Sequence, residues 1–438
     1  MTPIRWTGVV LALAVLFLGT SACGTRSPAS SPTASAATAT PVAYRSVAPP
    51  AAPVKGERGP YGEPSRKVDA LARPLGRFAL ALLAREAEAH PDGNVVLSPA
   101  SVHDALTMTC NGAGGQTAAE MQRVLGLDAL GLQRADQAWA DLITYLHEKK
   151  DAQIRVANSL WLRDGVSFSP SFLQTDRDYF AADATSLPSD MAQAVEAINE
   201  WVEQRTGGRI TQLLSELDPK TVAVLVNTIY VKAGWIDELF DKAATRPEPF
   251  TLPDGTEVNV PMMHGRFDGH VVSTPEYDAV PVPANGSVDV TVVVPKGDQT
   301  PESVVELLGQ RGLESLREGG RYVKVDLALP RFEARFRDSL KPALQEMGMT
   351  QAFSEEQADF SGMADVKPLW IDDVIHEAVL EVNEEGVEAA AGTAVTVKGA
   401  MPSPETVSIR ANRPFVVVLS VGSYPHVPLF VAIVRDPR

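Results

Sequence analysis

Apolar residues recur every three or four positions at Leu71, Leu75, Phe78, Leu82 and Leu83. That spacing predicts a helix, with Pro74 in its first turn. Ala100 to Cys110 and Ala118 to Leu127 predict two more, separated by the Gly112-Ala113-Gly114-Gly115 break. Ala194 to Gln204 predicts another, which stops before Thr206-Gly207-Gly208. Val222 to Val231 is a near-continuous apolar run, the pattern of a strand buried on both faces. Val288 to Val294, Tyr322 to Leu329 and Phe415 to Val421 read as further strands. Helices gather in the first half and strands in the second, without an internal repeat. The expected class is therefore α+β rather than alternating βαβ.

The amino terminus follows a different pattern. Arg5 precedes an unbroken apolar run from Val9 to Leu18, and Thr20-Ser21-Ala22-Cys23 follows it. A membrane-spanning helix needs about 20 apolar residues, so this shorter run reads as a signal-peptide core. Small residues before Cys23 resemble a bacterial lipoprotein signal, in which that cysteine carries the lipid, although Thr20 stands where leucine is usual. Ordinary cleavage after Ala22 is the alternative. Residues 1–22 are expected to be a signal peptide and 23–67 a disordered tether rich in Ser, Thr, Ala and Pro. The folded domain would span 68–438, on the outer face of a cell membrane.

Composition narrows the chemistry mainly by exclusion. The 438 residues carry a net charge of −16, which argues against nucleic acid and against a heparin-type activator. Two cysteines, Cys23 and Cys110, cannot make a disulfide framework or a Cys-rich metal site. Cys110 lies on an apolar helical face, as a structural thiol would. His376-Glu377 begins like a zinc-protease motif, but Leu380 occupies the second ligand position. Gly112-Ala113-Gly114 lacks the third glycine of a dinucleotide fingerprint. Ser361 has no partnered base in view, and no GxSxG or phosphate loop occurs. No catalytic constellation, metal site or cofactor is expected.

Residues 381–400, EVNEEGVEAAAGTAVTVKGA, carry more information. Glu and Ala favour helix, but Gly386, Gly392 and the β-formers from Thr393 to Val397 oppose it. Read with period two, Val387, Ala389, Ala391, Thr393, Val395 and Val397 share one face, apolar except for Thr393. The other face is polar or tiny. This is a strand with one buriable side, yet it runs into Lys398 to Pro404, the composition of an exposed, cleavable loop. One segment suited to both a buried strand and an exposed loop implies two states.

At this point the chain resembles the serpin family, from about Val68 to Arg438. Asn94 to Ser101, Gly114-Gly115-Gln116-Thr117, Asn158 to Leu162 and Ile198 to Val202 match in family order. Asn227 to Trp235, Leu329-Pro330-Arg331-Phe332, His376 to Leu380 and Asn412 to Phe415 complete the series. The resemblance implies a large, mostly antiparallel central sheet, further sheets, eight or nine helices and an exposed reactive loop at about 384–410. It implies a monomeric covalent suicide inhibitor of serine proteases rather than an enzyme. The protease cuts the loop, and the freed strand inserts into the sheet before the acyl-enzyme hydrolyses.

Further assignments follow from the same resemblance. The hinge is Glu384, Glu385, Gly386, Val387, Glu388, Ala389, Ala390 and Ala391. Val387 departs from the usual Thr or Ser at the first inserting position. Counting forward from Gly386, and backward from Asn412, places the reactive bond at Ala400–Met401. Alanine there fits an elastase- or subtilisin-like pocket, whereas a trypsin-like target would need Lys398. Ser98, Ser101, Asn227 and His376 match the shutter cluster under the sheet, and Arg331 and Trp235 the breach where insertion begins. A non-inhibitory carrier or substrate serpin, or an inhibitor of cysteine proteases, are the alternatives.

Overall fold

The computed structural model describes residues 9–19, 52–59, 63–387, 405–422 and 426–438. Its helices are α1 (Arg66–Ala89), α2 (Pro99–Cys110), α3 (Gly115–Val124) and α4 (Leu132–His147). They continue with α5 (Pro170–Phe180), α6 (Met191–Arg205), α7 (Pro301–Arg311) and α8 (Lys341–Glu346). The Ser65 side chain caps α1 by accepting from Lys67 N–H. That cap starts the helix about two turns before Pro74, so the proline lies inside α1 and not in its first turn.

Packing also begins before Val68. Lys55 N–H donates to the Asp178 carbonyl at 2.9 Å. Glu57 N–H donates to Asp141 Oδ1 at 2.8 Å, and Ser65 Oγ–H to Asp141 Oδ2. The expected boundary at 67/68 is thus too late: main-chain donors in a polar stretch find acceptors on α4 and α5, which composition does not register.

The first strands are β1 (Val9–Gly19), β2 (Val95–Leu97), β3 (Ala152–Arg163), β4 (Asp183–Leu187) and β5 (Thr221–Gly234). Next come β6 (Arg246–Thr251), β7 (Glu257–Ser273), β8 (Tyr277–Ala284), β9 (Val288–Pro295) and β10 (Arg321–Pro330). The last are β11 (Phe332–Ser339), β12 (Leu369–Val382), β13 (Gly386–Val387), β14 (Thr406–Arg410), β15 (Phe415–Val421) and β16 (Val427–Val434). One sheet runs β11-β12-β1-β5-β3-β4, with β13 also on β5. All its pairs are antiparallel except β3 with β4. The second runs β14-β10-β7-β8-β9-β15-β16-β2, with β6 on β7.

β5 is buried along its whole length, as its apolar run predicts. On one face Val222, Leu225 and Ile229 join the main core with α1 and α2. On the other, Val224, Val226 and Tyr230 pack under Ala194, Ile198 and Val202 of α6. The Val9–Leu18 run is a strand here, hydrogen-bonded to β5 on one side and β12 on the other. A short, uniformly apolar run suits a central strand as well as a signal core, and periodicity cannot separate the two.

Candidate functional site

Two groups of residues flank the same track between β5 and β12. The first lies at the end of β5 near Gly234. After β12 the chain makes a tight turn, Asn383 to Gly386, in which these two residues exchange backbone hydrogen bonds at 3.2 Å. Asn383 Oδ1 accepts from Glu385 N–H at 2.8 Å. Gly386 then pairs with Gly234, and Val387 with Ala233. Gly386 has φ +133°, and a Cβ there would fall 2.4 Å from the Ala233 carbonyl oxygen. Only glycine fits this approach.

Val387 is completely buried in the main core. The hinge was expected to belong to an exposed loop. Glu384 and Val387 are instead buried: the turn delivers Val387 onto the edge of β5, and Glu384 lies within the turn beside Arg331. Glu388, Ala389, Ala390, Ala391, Ala400 and Met401 lie outside the described residues, as does Cys23.

Trp235 and Arg331 both lie beside this turn. Trp235 is buried, its Nε1–H donates to the Asn383 carbonyl at 2.7 Å, and its ring meets Phe240 edge-on. Arg331 Nη1 lies 3.5 Å from Glu384 Oε1, and Lys242 Nζ 2.5 Å from Glu385 Oε1. The Glu384 side chain is 3% exposed against 48% for Arg331, so removing the arginine's partner charge would leave its replacement in a nearly buried place. Charge reversal, Glu384→Lys, is expected to cost about 1–3 kcal/mol, because it sets a buried ammonium beside Arg331. Urea unfolding reads this directly; unchanged stability would show that the pair contributes nothing measurable to the fold.

The second group lies halfway along the track and is wholly buried. Ser98 N–H donates to His376 Nε2 at 3.4 Å, and Ser98 Oγ–H to the Leu429 carbonyl at 2.7 Å. Ser101 Oγ–H donates to Asn227 Oδ1. Asn227 Nδ2 in turn donates to Asp104 Oδ2 at 2.6 Å and Asn158 Oδ1 at 2.7 Å. All four expected shutter residues are here. Asp104 and Asn158 had not been assigned to the cluster, and they complete it.

Ser98, the N-cap of α2, and Ser101 and Asp104 within it stand three apart and so share one face, a spacing that marks a buried polar seam. Burial lowers His376 to about 3 and raises Asp104 to about 8, so both are neutral at pH 7. Asp104 Oδ1 and His376 Nδ1 have no hydrogen-bond partner.

His376-Glu377 lies on strand β12 and not on a metal-binding helix. Its Glu377 pairs with Arg335 at 2.6 Å. Cys110 is free and buried, and burial pushes its thiol up to about 12.

The fold is thus a two-sheet α+β domain in which a short strand, β13, leaves a tight turn and adds to the central sheet. The family model for serpins, serine protease inhibitors, matches residues 74–437, and the chain belongs to the serpin family. It is 34% identical over 358 residues to the leukocyte elastase inhibitor of Bos taurus, covering 78% of this chain and 92% of that protein. The solved structure of cleaved Serpin 42Da is similar at TM-score 0.77 and 28% identity, over 85% of this chain and all of that one. Human thyroxine-binding globulin complexed with thyroxine is similar at TM-score 0.75 and 28% identity, over 85% and 99%. The family thus includes both protease inhibitors and a hormone-binding member.

Proposed function

We propose that this serpin inhibits serine proteases of the elastase or subtilisin type, by loop cleavage at Ala400–Met401 and strand insertion. The observation that carries the reading is the start of β13. Val387 already pairs with β5 at the head of the track, so the first residue of the inserting strand is in register before any cleavage.

Continuing that register without a break sets Ala389 opposite Val231, Thr393 opposite Asn227 and Val397 opposite Ala223. The same face as Val387, small or apolar at every other position, then turns to the main core. Its one hydroxyl, Thr393, arrives level with the buried polar cluster. Residue 399 would face Thr221, where β5 begins. An insertable strand ending at Ala400 therefore matches the length of β5, which supports the predicted bond. Deacylation of the trapped protease has to be slower than this insertion. A side chain as small as Ala400 fits a shallow apolar pocket, and residues 1–22 as an export signal would put the inhibitor outside the cell.

Incubation of the processed chain with pancreatic elastase and with subtilisin tests this reading. A complex stable in denaturing gels and a released peptide beginning at Met401 are expected. Cleavage at that bond with full protease activity remaining would make the chain a substrate or carrier serpin instead.

A further inference from the structure

The track that the loop would take is occupied in the full chain. β1 runs antiparallel to β5 with Val9 opposite Val231, Leu13 opposite Asn227 and Phe17 opposite Ala223. On its other edge Leu13 faces His376 and Ala14 faces Ile375. These are the places that the β13 register, carried onward, assigns to Ala389, Thr393 and Val397. Both strands would run in the same direction along β5, and one excludes the other.

We infer that the gap between β5 and β12 is a binding site for the chain's own residues 9–19, and that their retention keeps the serpin closed to its loop. The sequence suits this occupant. A strand with neighbours on both edges and packing on both faces needs an uncharged apolar run about ten residues long, and Val9–Leu18 is one. Val15 is fully buried in the main core, while Ala14 and Leu16 are buried on the α6 side. Residues 20–51 supply 32 positions, at about 3.3 Å each ample chain to return from Gly19 to the docked segment at Ala52.

The apolar run thus has two possible environments, a membrane during export or this sheet. Hydrolysis of the Ala22–Cys23 peptide bond by an export peptidase, with water as co-reactant, would leave a carboxylate on Ala22 and an amine on Cys23. It would also detach β1 from the domain, leaving the gap for the loop. A precursor that folds unprocessed would be cut in its loop without trapping the protease.

The occupancy itself is independent of inhibition, whereas its consequence rests on the reading under Proposed function. Hydrogen exchange on the full chain tests the first. Amides of residues 9–19 are expected to exchange at least about 10³-fold more slowly than in an unstructured chain. Exchange at the free-chain rate would overturn the inference.

The second arm compares melting midpoints before and after loop cleavage by elastase. The parent full chain should show no rise. Val15→Asp, which puts a carboxylate into the core, should release β1, lose its exchange protection and gain a rise of tens of degrees on cleavage. Ala14→Arg serves as a second variant on the opposite face. A rise in the parent as large as in both variants would overturn the closure. No rise in any of them, with β1 protected in the parent, would overturn the inhibitory reading and leave β1 in its place.

Discussion

Val387→Arg, in the processed chain, is expected to turn the inhibitor into a substrate. At least about ten times more serpin should be consumed per protease molecule trapped, because an unpaired charge would enter a fully buried position. Val387 has no exposed surface and packs in the main core beside Ala233. Burial of an isolated charge costs several kcal/mol even after relaxation, and each 1.4 kcal/mol on the insertion barrier is a factor of ten in rate. Deacylation has no reason to slow, so the competition between the two steps shifts towards release. Titration of elastase with parent and variant measures the ratio. Val387→Thr serves as the control, since its hydroxyl is small and β-branching is kept. Equal stoichiometry in Val387→Arg and the parent would show that burial of this position does not limit the insertion step.

The elements with a strong period were readable from the chain. Val222 to Val231 lies within β5, and Phe415 to Val421 matches β15 residue for residue. The starts of elements were harder. The spacing from Leu71 onward marks the face of α1, but its beginning depends on the Ser65 cap and on Asp141, which sits on another helix. Pro74 marked a first turn only if nothing upstream was ordered.

The shutter residues were placed through family resemblance, and their chemistry became visible only in three dimensions. Asn227 sits in an apolar run and looks like an interruption. The structure makes it a junction that ties Ser101 and Asp104 of α2 to Asn158 of β3. The Val9–Leu18 run shows the limit of pattern reading most clearly. Its composition satisfies two environments equally, and only the presence of a gap beside β5 distinguishes them.

Asp104→Asn is expected to raise stability at pH 8 by an amount on the order of a few kcal/mol, and by progressively less towards pH 4. Burial raises the Asp104 carboxyl to about 8, against the downward pull of the neighbouring Asn158 and Asn227 amides. An unfolded aspartate loses its proton near about pH 3.9. Between those limits the folded chain holds one more proton than the unfolded chain, so stability falls as pH rises. The contribution is complete below about pH 4 and gone above about pH 8.

His376 has the opposite sign. Burial lowers it to about 3, so its stabilisation is lost as pH falls below about 6.5. The two slopes overlap between about pH 4 and 6.5, and above that range the Asp104 slope runs without opposition from His376. Asparagine keeps the oxygen that accepts from Asn227 and cannot ionise, so it removes one slope and leaves the other. Urea unfolding of parent and variant at half-unit steps from pH 4 to 8 measures the difference. Parallel curves would mean that Asp104 is already ionised in the folded chain. Curves that diverge with rising pH would locate a protonated carboxyl at the point where β5 meets α2. Ionisation of that carboxyl would then loosen the same contacts that sheet opening has to break.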